Sequence, residues 1–170
     1  MNISIAQTPS AGRIKRKPIQ ALAAFFLRKA ADRTGIRWGD LSLFLAGDVE
    51  SRDINKAHLG HDYDTDVISF NLDLVPGDPE RLNHGEIVIN VAYARRMGRR
   101  YGDTNRELAL YLAHGCDHLS GEDDATPATR MRMRRRELRW LREAKVSGLS
   151  FLLTDGAPKA CPSTRKHRAP

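Results

Sequence analysis

The run HGCDHLSGEDD, residues 114–124, sets two histidines four apart, a glycine three residues after the second, and acidic residues at its end. The stretch leading into it, NRELALYLA at 105–113, has the apolar spacing of a helix, with Asp103 or Thr104 to cap it and Gly121 to close it. Side chains four apart on a helix share one face, with Cβ atoms about 5–6 Å apart. His114 and His118 are therefore spaced to grip one cation between their rings. Gly121 lets the chain turn back in a left-handed conformation, so an acid just beyond it can reach the same face. Asp124 is placed to be that third ligand, with Asp123 as the substitute if the turn is tighter. Cys116 points elsewhere and reads as a small core residue. Asp117 either orients a histidine, acts as a base, or is a solvated acid near the helix end. Glu122 and Asp123 read as solvent-facing.

Outward from this helix, the chain reads as α+β. NISIA near the N-terminus alternates as a half-buried strand does, and LSLFLAG (41–47), VISFNLD (67–73) and EIVINVA (86–92) read as three more. Helices are expected from Pro18 to Gly35, from an Asp48 cap to about Ala57, over 91–100, and from Pro127 to about Lys145. LVPGDPERLNHG, at 74–85, reads as a loop joining two strands. The expected architecture is a small mixed sheet of about four strands packed with helices, the metal-bearing helix lying centrally. It forms one domain over 1–145. Residues 146–170 form a basic, proline-containing tail expected to lack fixed structure.

A chain of 170 residues suits one core, and 41% hydrophobic with 29% charged residues describes a globular protein. It has no apolar run long enough to span a bilayer and no apolar signal core at its start, so a cytoplasmic protein is expected. Two cysteines, Cys116 and Cys161, are too few for a disulfide framework. His58, His61 and His84 read as surface residues in or beside loops.

The net charge is +7, and its distribution is informative. Residues 130–145 hold eight basic residues, Arg130 and Arg134 among them, against Glu137 and Glu143. Arg95, Arg96, Arg99 and Arg100 form a second cluster, and RIKRK at 13–17 a third. The two arginine clusters flank the histidine helix, so a polyanion would be drawn toward the site between them. Three protein ligands leave a zinc ion one position for water, which becomes a nucleophile near neutral pH. Hydrolysis of peptides or of phosphodiesters would both fit. A zinc peptidase of the H-E-x-x-H kind needs a glutamate directly after the first histidine, where this chain has Gly115. Asp117 could stand in only as a shorter acid. The basic surroundings favour RNA.

HGCDHLSGEDD resembles the H-G-x-L-H-L-x-G-Y-D-H signature of the YbeY endoribonucleases. TDVISF at 65–70 is similar to that family's T-[DN]-V-L-S-F, GEIVIN at 85–90 to its G-D-[IL]-x-I, and RDINKAHLG at 52–60 to its L-N-x-x-[YF]-R-G. MRRRELRWL at 133–141 falls where the family has its closing helix. The resemblance runs from residue 1 to about 145. It implies a single-strand-specific, metal-dependent endoribonuclease in rRNA processing and ribosome quality control, acting with the ribosome or its small subunit. One zinc ion would be held by His114, His118 and Asp124, and the arginines would hold RNA. Four positions depart from the pattern: Asp124 stands for the third histidine, Asp117 for the leucine, Glu122 for the tyrosine, and Leu59 for the arginine of L-N-x-x-[YF]-R-G. A zinc metallopeptidase, or a non-catalytic ribosome-associated RNA-binding protein with a structural zinc, are the alternatives.

Overall fold

The computed structural model describes residues 1–72 and 79–146. Strand β1 (Asn2–Gln7) leads through a short 3-10 turn into helix α1 (Arg16–Thr34) and back to strand β2 (Trp38–Ala46), which lies parallel to β1. Helix α2 (Asp48–Leu59) follows, then strands β3 (Val67–Leu72) and β4 (Asn83–Asn90), paired antiparallel. β4 also runs parallel to β2, so the mixed sheet has the order β1-β2-β4-β3. Helices α3 (Val91–Tyr101), α4 (Thr104–Leu119) and α5 (Pro127–Val146) complete the described chain. The α+β expectation holds.

Alternation along the strands divides the packing between two faces. Leu41, Leu43, Leu45, Ile87 and Ile89 point into the main core with α1 and α4. Ala46, Ile68 and Val88 point the other way and meet Ile54 of α2. α4 buries eleven of its sixteen residues, which a surface helix with one apolar stripe cannot do. It lies between the sheet, α1, α3 and α5. Gly115 makes its approach to the sheet possible. A Cβ there would meet Ile87 Cγ2 at 2.8 Å and Val67 Cγ2 at 3.0 Å, and Ser69 Oγ donates to the Gly115 carbonyl at 3.2 Å. α5 closes the core through Met133, Trp140 and Ala144, with Trp140 stacked on Phe26 of α1.

Several boundaries differ from expectation. α1 begins at Arg16, so Pro18 sits inside the first turn, where its missing N–H costs nothing. Gly47, not Asp48, caps α2; the Asp48 carboxylate instead accepts from Asn90 Nδ2 and pairs with Arg96. β4 starts at Asn83, shortening the expected 74–85 loop. Residues 74–78 of that loop, Asp73 of the expected strand before it, and the expected tail beyond Val146 lie outside the described residues. Ser120 caps α4, and Gly121 takes the left-handed φ of 87° one residue later. Among the described residues, no helix is long and apolar enough to cross a membrane.

Candidate metal centre

The central helix is held at its start by the Asp103 carboxylate, which accepts from the Arg106 amide at 3.0 Å. Near its other end, His114 and His118 emerge half-buried on one edge. Each ring is fixed through Nδ1. His114 Nδ1 donates to Glu137 Oε1 of α5 at 2.6 Å, and His118 Nδ1 donates to the Glu122 carbonyl at 3.0 Å. With both Nδ1 atoms acting as donors, the two Nε2 atoms of neutral rings carry bare lone pairs. They face each other at 3.1 Å.

Two such lone pairs repel unless something positive lies between them. Tetrahedral zinc with bonds of about 2.0–2.1 Å needs its nitrogens about 3.3–3.4 Å apart, close to what is found. Asp124 Oδ1 lies 3.9 Å from His118 Nε2, and ligand atoms of all three residues fall within 4.8 Å of one another. The residues fit a small divalent cation. In its absence a proton is the alternative. Burial, the largest single influence on His114, lowers its pKa, but the Glu137 hydrogen bond and charge, with Asp66 and Asp124, raise it overall.

The site opens into a cleft of 300 Å³ lined by His114, Asp124, Glu137, Asp66, Leu110, Tyr111, Arg130 and Arg134. Arg130 and Arg134 are thus brought to the histidines. The other expected RNA contacts divide. Arg95 is half-buried and donates to the Ala11 carbonyl at 3.1 Å, burial lowering its pKa. Arg96 bridges Asp48 and Asp64 and lies over the Tyr93 ring. Both help to hold α3 against neighbouring segments, a role that their reading as phosphate contacts did not include. Arg99 and Arg100 are exposed at the end of α3.

Asp117 also needs correcting. It is fully buried and turned away from the cleft, its carboxylate in the fork of Arg136, with Nε 3.0 Å from both oxygens and Nη2 2.7 Å from one. Burial raises its pKa against the pull of that guanidinium. The buried countercharge claims Asp117, so it neither orients a histidine nor reaches the cleft as a base. Glu122, expected in solvent, has side-chain exposure of only 14% and takes ion pairs from Arg33 (2.7 Å), Arg136 (2.9 Å) and Arg132 (3.4 Å). Asp123 is exposed and caps the turn, accepting from the Ala125 amide at 2.9 Å. Cys116 is buried in the core, as expected. Leu59 is half-exposed at the last residue of α2. His58 and His61 are exposed, whereas His84 is half-buried with Nδ1 accepting from the Asp40 amide. The tight packing of Gly115 leaves no room for the glutamate of a zinc peptidase.

Glu137 escaped the sequence reading, where it counted only as charge among arginines. The signal was there: with Met133, Trp140 and Ala144 it occupies the buried stripe of α5, where an unpaired acid has no place.

If Asp124 is a ligand and Asp123 only a turn cap, Asp124→Ala lowers metal affinity by more than about 100-fold, beyond the effect of losing an outer-shell partner. Asp123→Ala leaves affinity unchanged. Competition with a chromogenic chelator measures both, and equal affinities for the two variants would remove Asp124 from the site.

Two histidines at the end of a buried helix and a carboxylate just beyond it, beside an arginine-lined cleft, define an α+β protein with a group that could hold a metal ion. The family model described as endoribonuclease YbeY matches residues 4–145, and the chain belongs to this family of hydrolases. It is 32% identical over 165 residues to an endoribonuclease YbeY of an Anaeromyxobacter species, covering 96% of this chain and 82% of that one. It is 40% identical over 96 residues to that of Elusimicrobium minutum, covering 56% and 67%. The solution structure of a Thermotoga maritima protein shares the fold, with a TM-score of 0.56 and 18% identity over 97% of this chain and all of that one.

Proposed function

We propose that this protein is a zinc-dependent endoribonuclease that cleaves single-stranded RNA during rRNA maturation and ribosome quality control in the cytoplasm, working on the ribosome or its small subunit. The domain responsible is residues 1–145. The observation that carries this reading is the pair of bare Nε2 atoms at 3.1 Å, set in a cleft whose outer wall is Arg130 and Arg134. His114, His118 and Asp124 hold the ion, and two nitrogens with one oxygen suit zinc. When bound, the ion supplies Lewis acidity at a phosphodiester.

The chain's own residues do the rest. Glu137 and the Glu122 carbonyl fix the tautomer and aim of the two rings. Arg130 and Arg134 seat the phosphate, positioning the strand without reading its bases. Arg99 and Arg100 add charge at the end of α3. Membership of a family whose relatives are named endoribonucleases supports the same chemistry.

Leu59 favours a second reading. It offers no guanidinium where the family pattern has one, and a non-catalytic RNA-binding protein with a structural zinc would have the same cradle. One experiment separates them: elemental analysis of the purified protein beside cleavage of single-stranded RNA, with chelator and with zinc restored. The expected outcome is about one zinc per chain, with cleavage lost to chelator and regained with zinc. Stoichiometric zinc without cleavage would establish the structural role instead.

A further inference from the structure

We propose that α5 carries RNA on both flanks. Beyond the metal cleft, Arg132, Arg135 and Arg139 of α5 line a second groove that takes the phosphate backbone of the same strand, with Arg33 of α1, already paired with Glu122, in its wall. This rests on single-stranded RNA being the substrate.

The helix is built for it. Its buried stripe, Met133, Glu137, Trp140 and Ala144, divides its arginines into two sets. Arg130 and Arg134 fall on the side facing the metal cleft. Arg132, Arg135 and Arg139 fall on the other, where they line a groove of 610 Å³ floored by Ala128 and Arg136. Among the described residues, Arg135 and Arg139 have no acidic partner, and both are exposed. Arg132 has only a 3.4 Å contact with Glu122 at its disposal. Unneutralised guanidiniums side by side repel one another, and a row of phosphates relieves that repulsion with planar, forked hydrogen bonds.

The remainder of this chain is the wrong occupant. Beyond residue 146 it carries Lys159, Arg165, Lys166 and Arg168 against Asp155 alone, the same sign as the groove. A single strand has the right sign, and continuity favours it over an acidic protein. One helix width, about 10–12 Å, separates the two arginine sets. The exposed side chain of Met131 also lines this groove, a soft apolar surface on which a base can rest.

The test compares binding of short and long single-stranded RNA, about 6 and about 20 nucleotides, lengths chosen to fill one site or to run past it. Affinity is measured against salt for the wild-type full chain, for Arg135→Gln/Arg139→Gln, and for Arg135→Lys/Arg139→Lys, with strand integrity checked on gels. On the long strand, the glutamine variant should lower the log–log salt slope by about 1.4, two contacts at about 0.7 each. The lysine variant should restore it. The drop should be absent on the short strand. An equal drop on both lengths would mean that these arginines act only as a diffuse field, and no drop on either would make them a solvated face; each overturns the groove. Preferential loss of binding to an acidic polypeptide, with RNA slopes intact, also overturns it. Cleavage is read separately: a wild type that shows the length-dependent slope but never cuts RNA keeps the groove and loses the nuclease.

Discussion

Asp117→Ala destabilises the protein by about 3 kcal/mol, the lower end of what deleting one partner of a buried ion pair costs. The Asp117 side chain has no solvent exposure and that of Arg136 only 9%, so the guanidinium left behind cannot be rehydrated. The loss stays at the lower end because Arg136 keeps Glu122 at 2.9 Å. For a domain whose whole stability is typically about 5–15 kcal/mol, this is a large share. Urea unfolding in the presence of chelator measures it free of any contribution from bound metal. Asp117→Leu combined with Arg136→Met should regain much of the loss, because an apolar pair asks for no countercharge. A cost below about 1 kcal/mol for Asp117→Ala would mean that water reaches the pair.

The second large effect falls on function. His118→Ala removes the metal and lowers RNA cleavage by about 1,000-fold, since the Lewis acid contributes several kcal/mol and each 1.36 kcal/mol is tenfold in rate. His118 is a cleaner deletion than His114. Among the described residues its one outer partner is the Glu122 carbonyl, which water can satisfy, whereas removing His114 strands the buried Glu137 carboxylate. The metal-free stability of His118→Ala should therefore stay near that of metal-free wild type. Zinc content, initial cleavage rate and urea midpoint give the three readings. Wild-type cleavage by a zinc-free His118→Ala protein would dissociate the ion from the chemistry.

What the sequence made legible was local. Two histidines one turn apart, a turn glycine and an acid within reach depend on helix geometry alone, and the structure brings His114, His118 and Asp124 together. The four strands and five α-helices among the described residues were readable for the same reason. What stayed hidden was which charges find partners. Arg96 and Asp48 are 48 residues apart, Arg95 and Ala11 84, so nothing in the RR doublet separates a structural arginine from a phosphate ligand. Asp117 looked available because Arg136 was still only one arginine among many. Glu122 looked exposed because three guanidiniums from two other helices converge on it. Glu137 was the readable exception, an acid on an apolar stripe.

The five-residue turn from Ser120 to Asp124 performs several tasks at once. Its Glu122 carbonyl anchors His118, its Glu122 carboxylate gathers arginines from α1 and α5, and its last residue faces the metal cleft. An ion held by His114, His118 and Asp124 would therefore be a cross-link as well as a reagent, lashing the end of the central helix to the corner from which the last helix departs. Whatever loosens that corner also slackens the grip on the ion, and filling the site with metal tightens the seam along which two helices meet. Folding and metal uptake thus become one linked equilibrium.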